Sequence, residues 1–185
     1  EGKIILKEKK RNIDAKVINE LVKLREKRTK PFFDDKTQLD INCLWVSALL
    51  QANLAVPSEN YLNKAEKIFE KIEKFFSKNL FHCNIKSIVF LEDYAYLINC
   101  LLDLYDQTLK IEYKLKASKL SIDALQKFYD NEKKIFQKNQ RDSNDIFFKP
   151  IDISDHTIPN GNAMMLINFT RLGMMKEADD LNKSL

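Results

Sequence analysis

Apolar positions along most of this chain fall three and four residues apart, the spacing of one face of an α-helix. The densest case is Phe90 to Tyr105, where Tyr94, Leu97, Ile98, Leu101, Leu102 and Tyr105 form one stripe and Glu92 and Asp93 stand in the first turn. The spacing predicts a buried helix with an acidic mouth. Upstream, Ile13, Val17, Leu21 and Leu24 mark a helix opened by Asn12 or Asp14 and stopped by Pro31, with Arg25, Lys27 and Arg28 complementing the dipole of its last turn. Ile41, Leu44, Trp45, Ala48, Leu49 and Ala52 mark the next helix, which ends before Pro57. Thr37 and Asp40 ahead of it have capping-box spacing. Ser58 is placed to cap a partner helix with apolar positions Leu62, Ala65, Ile68, Phe69, Ile72, Phe75 and Phe76. These two form a helical hairpin. Tyr113, Ala117, Leu120, Ala124 and Phe128 give the Phe90 helix its own return partner, a second hairpin.

The helical period fails elsewhere. Lys3 to Leu6 reads as a short strand or the tail of a preceding element, and Phe81 to Val89 as a loop or extended segment. Between Asp130 and Pro159, Lys134 to Lys138 and Ile146 to Lys149 resemble two short strands about a polar turn at Arg141 to Asp145. Ile158 to Asn162 then breaks direction before a final helix from about Ala163 to Leu172, with Met174 to Leu185 starting its partner.

Composition narrows the class. With 185 residues, 44% hydrophobic and 31% charged, the chain has the balance of one globular domain spanning 1–185, and three glycines with four prolines leave little material for an all-β fold. An all-α architecture with an inserted β-hairpin follows. The net charge of +4 arises from 31 basic and 27 acidic residues, the lysines interleaved with glutamates. The richest basic run, Lys7 to Arg11, is short, so no nucleic-acid partner is expected. Cys43, Cys83 and Cys100 contain no CxxC pair, which points to reduced thiols in a cytoplasmic protein rather than a zinc or disulfide framework. No apolar run approaches the roughly 20 residues that span a bilayer, so no membrane association is expected. The first residue is Glu1 rather than Met, the expectation being a piece of a longer protein.

Several separated motifs point to a family. The run Lys23-Leu24-Arg25-Glu26-Lys27-Arg28-Thr29-Lys30-Pro31 with Asp34-Asp35-Lys36, the helix beginning Phe90-Leu91-Glu92-Asp93-Tyr94, and Phe148-Lys149-Pro150 ahead of Pro159-Asn160-Gly161-Asn162 are collinear. Together they resemble the toroid region of the thioredoxin-domain-containing, spermatogenesis-associated protein family, whose bacterial members are uncharacterised. The resemblance covers about Val17 to Leu172. It implies part of an α/α toroid of the six-hairpin glycosidase type, related to sugar epimerases, in which inner-helix N-termini surround a cleft. The family's thioredoxin-like domain is not in this sequence. Departures also stand out: Ile41-Asn42-Cys43 replaces a usual Trp-Asn-Gly, Phe32 a frequent His, Asn160 the usual Ser, and His156 a common Gly. A cleft that relies on that Trp and His has lost them here.

On this reading Asp34, Asp35, Glu92 and Asp93 are the candidate catalytic carboxylates, since acid/base work on a sugar needs a proton donor and a base on opposite sides of the reacting centre. Acids near helix N-termini also satisfy free N–H groups and the dipole, so a structural role stands beside the catalytic one. Lys36, Asn42, Tyr94, Gly161 and Asn162 are the candidate ligand-binding residues. Lys36 orients the acids, Tyr94 offers a stacking wall, and the Asn160-Gly161-Asn162 turn caps the last helix and aims its N-terminus at the cleft. Trp45 reads as core. His82 and His156 read as surface or loop histidines, and Cys83 beside His82 lacks the convergent ligands of a metal site. No metal and no cofactor are expected. The expected ligand is a sugar or sugar phosphate. The alternative is a non-catalytic helical module that packs on a thioredoxin-like domain or self-associates as a homo-oligomer.

Overall fold

The computed structural model describes residues 14–57, 60–76, 80–84, 87–141 and 150–185, with backbone alone at 75 and 76. Two compact units divide it, Glu1–Asp35 and Lys36–Leu185. In the first, α1 (Ala15–Glu26) opens at Asp14, whose carboxylate accepts the Lys16 N–H at 2.9 Å, and ends short of Pro31. Its apolar stripe stays exposed: Val17, Ile18, Leu21, Val22 and Leu24 all face solvent, and no residue of the helix is buried. The expected strand at Lys3–Leu6, the basic run Lys7–Arg11, and the positions Asn12 and Ile13 lie outside the described residues.

The second unit consists of α2 (Leu39–Ala55), α3 (Tyr61–Phe76), α4 (Leu91–Thr108), α5 (Ile111–Phe128), β1 (Tyr129–Asp130), β2 (Ile135–Phe136), α6 (Gly161–Leu172) and α7 (Met175–Asn182). Helices pair as the hairpins α2/α3, α4/α5 and α6/α7, while α4 also packs against α2 and α6. This is the α/α toroid arrangement, with α2, α4 and α6 inner and α3, α5 and α7 outer. The reason α4 is central is compositional. Leu91, Tyr94, Ala95, Tyr96, Leu97, Ile98, Leu101, Leu102 and Leu104 are all buried, so its apolar surface runs round most of the helix and fits only between neighbours on several sides. The stripe read from sequence is one of those faces.

The polar groups of the inner helices meet in a seam. Arg171 of α6 donates to Asn99 at 2.8 Å and to Asp106 at 2.7 Å and pairs with Asp103 at 2.8 Å, while Asn99 reaches Ser47 of α2 at 3.3 Å. Asn168 donates to the Ala95 carbonyl at 2.8 Å. Burial raises the Asp103 carboxyl above its ordinary range, against the pull of Ser47 and Arg171. Buried Cys43 and Cys100 also face each other between α2 and α4, and burial pushes the Cys100 thiol well up.

Three expectations are corrected. The buried face of α2 is Leu39, Cys43, Val46, Leu49 and Leu50, leaving Ile41 and Trp45 exposed, Trp45 by 56%. Apolar residues stand on both sides of this helix, so periodicity alone does not choose the face that α4 covers. Thr37 and Asp40 do not form a capping box: the N-cap is Gln38, without a side-chain cap bond, and the Asp40 carboxylate accepts the adjacent Ile41 N–H at 2.7 Å. The β-hairpin is shifted. Its second strand falls within Lys134–Lys138, but it pairs antiparallel with the preceding Tyr129–Asp130, in the register Tyr129 to Phe136 and Asp130 to Ile135. Asp130 accepts the N–H groups of Glu132 and Lys133 at 3.0 and 3.1 Å, and Lys134 takes the left-handed φ of 57°, which closes the turn well before Arg141–Asp145. Ser58, Phe148 and the expected strand Ile146–Lys149 lie outside the described residues, as do the side chains of Phe75 and Phe76.

Candidate functional site at the inner-helix mouth

The starts of α2, α4 and α6 open onto one cleft of about 390 Å³, lined by Asp40, His82, Phe90, Glu92, Lys138, Asp152, His156 and Asn160 among others. Backbone pairing builds it. Residues 82–84 run antiparallel past the start of α2: the Leu39 N–H donates to the His82 carbonyl at 2.8 Å and the Asn84 N–H to the Thr37 carbonyl at 3.0 Å. This bridge holds His82 over the first turns of α2 and α4. From the other side, the Leu91 N–H donates to the Lys138 carbonyl at 3.0 Å, so the segment after β2 closes on the start of α4.

Each helix start then presents a polar group. At α4, Asp93 is fully buried; its Oδ2 accepts the Phe90 N–H at 2.8 Å, the reciprocal half of a capping box, while its Oδ1 lies 3.0 Å from His82 Nδ1. The His82 ring stands edge-on to Phe90 at 5.2 Å, and its Nε2 lies 3.1 Å from the Gln38 side-chain amide. Burial pushes the Asp93 carboxyl up to about 6 despite the opposing Phe90 N–H and His82 contacts. Burial also raises Glu92, whose Oε2 is buried without a hydrogen-bond partner among the described residues and whose Oε1 is 3.9 Å from the Lys138 ammonium. At α6, Asn160 caps with its Oδ1 on the Ala163 N–H at 2.9 Å, and its own N–H and Nδ2 donate to Asp155 at 2.8 and 3.0 Å. The Tyr96 hydroxyl donates to the Pro159 carbonyl and fixes the approach to that cap.

Chemically, a carboxylate holding an imidazole by one nitrogen is the arrangement of a general base with its orienting partner. A carboxyl with a raised pKa beside it suits a proton donor. The Asp40, His82 and Asp93 ligand atoms also lie within 4.8 Å of one another, a donor set that suits a metal ion.

The structure divides the residues singled out from sequence. Glu92 and Asp93 stand at this mouth. Asp34 and Asp35 belong to the other unit, exposed on its last residues, and Lys36 is exposed at the start of the second. Asn42 turns back on its own helix, its Nδ2 donating to the Gln38 carbonyl at 2.6 Å. Tyr94 is buried facing away from the mouth, its hydroxyl 2.5 Å from Asp123 Oδ2 and 2.7 Å from Lys127 Nζ, along a groove of about 1040 Å³ between α3 and α5. That groove is larger, with Phe69, Ile72, Leu97 and Leu101 beside Glu73, Lys116, Lys119, Asp123 and Lys127 in its lining, and the Tyr94 hydroxyl, Asp123 and Lys127 satisfy one another there. Gly161 packs against Leu91, and Asn162 holds the Phe136 N–H at 2.9 Å and the Phe136 and Asp152 carbonyls at 3.1 and 3.0 Å.

His82 and Asp40 are the mouth residues that sequence reasoning missed. His82 precedes a cysteine in a segment without helical period, and Asp40 has the spacing of a cap. Their meeting depends on the Gln38–Cys83 bridge across 45 positions of the chain, which no local pattern announces.

No protein-family model matches the chain. An uncharacterised protein of Caenorhabditis elegans, B0495.5, is 29% identical over 192 residues, covering 96% of this chain and 26% of that protein. The chain thus spans about a quarter of that relative's length. Among solved structures, cellobiose 2-epimerase from Bacillus thermoamylovorans superposes with a TM-score of 0.62 at 14% identity, over 80% of this chain and 44% of the epimerase. This likeness shows the α/α toroid fold. Among the described residues no helix is long and apolar enough to cross a membrane.

Proposed function

We propose that the inner-helix mouth is a carbohydrate-binding cleft with the groups for proton transfer on a bound sugar. The observation that carries it is the convergence of Asp40, His82 and Glu92 on a cleft of about 390 Å³ at the starts of neighbouring inner helices, with Asp93 fully buried and holding His82 at 3.0 Å. That volume falls at the lower end of the range of about 300–1,000 Å³ for small-molecule sites, the scale of one or two sugar rings. Carboxylates, an imidazole and an amide supply the hydrogen bonds that hydroxyl groups require. The toroid fold shared with a sugar epimerase supports the same reading, as do the motifs resembling the spermatogenesis-associated family, whose membership is part of this proposal. His82, oriented by Asp93, is the base once a sugar displaces the Gln38 amide from its Nε2, and Glu92, lining the same cleft, is the proton donor. Asp34, Asp35 and Lys36 are proposed from the motif alone. A thermal-shift screen of neutral mono- and disaccharides and sugar phosphates, run with and without added divalent metal, tests this. Stabilisation by a sugar that disappears in Glu92→Gln supports it, and no response to any sugar removes it.

A second reading, association through a helical flank, rests on α2, where Ile41 and Trp45 are exposed on one side of the helix at 45% and 56%. Self-association that weakens in Trp45→Lys, measured by light scattering, supports it. A monomer at all concentrations counts against it.

A further inference from the structure

We infer that Asp40, His82 and Asp93 form a binding site for a divalent transition ion of the zinc class. This goes beyond the carbohydrate reading and does not depend on it. The three ligand atoms lie within 4.8 Å of one another, and His82 Nδ1 and Asp93 Oδ1, at 3.0 Å, are already spaced as adjacent ligands of one ion. Asp40 is 6% exposed and Asp93 fully buried, so these carboxylates are not the solvated acids that cluster on surfaces without consequence.

The surroundings have the form of a ligand shell. Asp93 is anchored through its other oxygen by the Phe90 N–H at 2.8 Å, and Asp40 by the Ile41 N–H at 2.7 Å. Gln38 stands 3.1 Å from the second ring nitrogen of His82, where the amide oxygen, after exchange of its two ends, accepts the Nε2–H of a metal-bound imidazole. Without an ion, the same imidazole donates Nδ1–H to Asp93. Charge argues in the same direction. Asp40, Glu92 and Asp93 crowd the mouth, the ammonium paired there is Lys138 at 3.9 Å from Glu92, and Glu92 Oε2 has no hydrogen-bond partner among the described residues. A divalent cation supplies the missing positive charge.

Ligand type selects the ion. One imidazole with two carboxylates suits zinc better than calcium or magnesium, which favour all-oxygen shells. Three protein ligands, two of them, Asp40 and His82, lining the cleft, leave a coordination position on its side for water or a hydroxyl of a bound molecule, as in open zinc sites.

The test is calorimetric titration of the metal-free chain with Zn²⁺ in the absence of any sugar, repeated with Asp40→Asn and His82→Gln, the fold of each variant checked by circular dichroism. Co²⁺ substituted for Zn²⁺ reports coordination through its visible absorption. The expected result is one ion per chain, with affinity lowered at least about tenfold in each folded variant. No saturable Zn²⁺ binding by the wild type, or equal affinity in a folded variant of either kind, overturns the assignment. Because sugar is absent throughout, neither result decides whether the cleft binds a sugar, although an ion on His82 Nδ1 would take that imidazole out of the role of base.

Discussion

A Cβ built on Gly161, at the first position of α6, would stand 2.8 Å from Leu91 Cδ2 and 2.9 Å from its Cγ, at the first position of α4. Leu91 is only 2% exposed and has little room to move. Gly161 therefore sets how closely the starts of two inner helices approach, and with it the width of the mouth. Gly161→Ala should destabilise the fold by about 1–3 kcal/mol, the usual cost of overpacking. Urea denaturation checks this, and stability equal to wild type would show that the helices move apart freely.

Asn162 acts on the same corner through hydrogen bonds. Its buried amide serves the Phe136 N–H and the Phe136 and Asp152 carbonyls, tying α6 to β2 and to the loop that borders the cleft. Asn162→Ala leaves those backbone groups to find other partners, and a loss of about 2–4 kcal/mol is expected. Hydrogen exchange should also quicken at the Phe136 amide. An unchanged exchange rate there would contradict the bond.

Tyr94 lines the groove between α3 and α5 and not the mouth. Tyr94→Phe removes a hydroxyl engaged with Asp123 and Lys127 and should cost about 1 kcal/mol in stability, as for a typical hydrogen bond. It should leave sugar affinity unchanged, because the ring faces the groove between α3 and α5. A marked loss of binding would place the ligand in that groove instead.

The Asp103–Arg171 pair predicts a pH dependence. Burial raises the native Asp103 carboxyl above the ordinary aspartate value of 3.8, so the folded chain holds this proton more tightly than the unfolded chain. Its contribution is fully present below the unfolded value and is lost as pH rises through the native one. Asp103→Asn lacks that slope. The stability of wild type minus variant, from urea titrations at successive pH values, should therefore fall across the window just above the ordinary aspartate range. A flat or rising difference would contradict the sign.

Much of this architecture is legible in the sequence because it is local. α4 and α5 carry apolar stripes over 18 residues each, and Asn160 and Gly161 announce the start of α6 through turn chemistry. The orientation of α2 is not legible, since Leu39, Cys43 and Val46 compete with Ile41 and Trp45 for the buried side and only the packing of α4 decides between them. The site divides along the same line. Glu92 and Asp93 can be read because helix starts in a toroid face its cleft. His82 joins them through a bridge between distant segments, and Tyr94, adjacent in sequence to Asp93, turns to the opposite side because successive helix residues lie about 100° apart.

The central claim is that the mouth formed by Asp40, His82, Glu92 and Asp93 binds carbohydrate. Its most direct test is calorimetric titration of the chain with each sugar from the screen, with and without Zn²⁺, for the wild type, Glu92→Gln, His82→Gln and Tyr94→Phe. The account predicts saturable binding of at least one sugar, lost in the Glu92 and His82 variants and kept in Tyr94→Phe. Binding that survives both mouth substitutions, or no binding of any sugar in either metal condition, would contradict it.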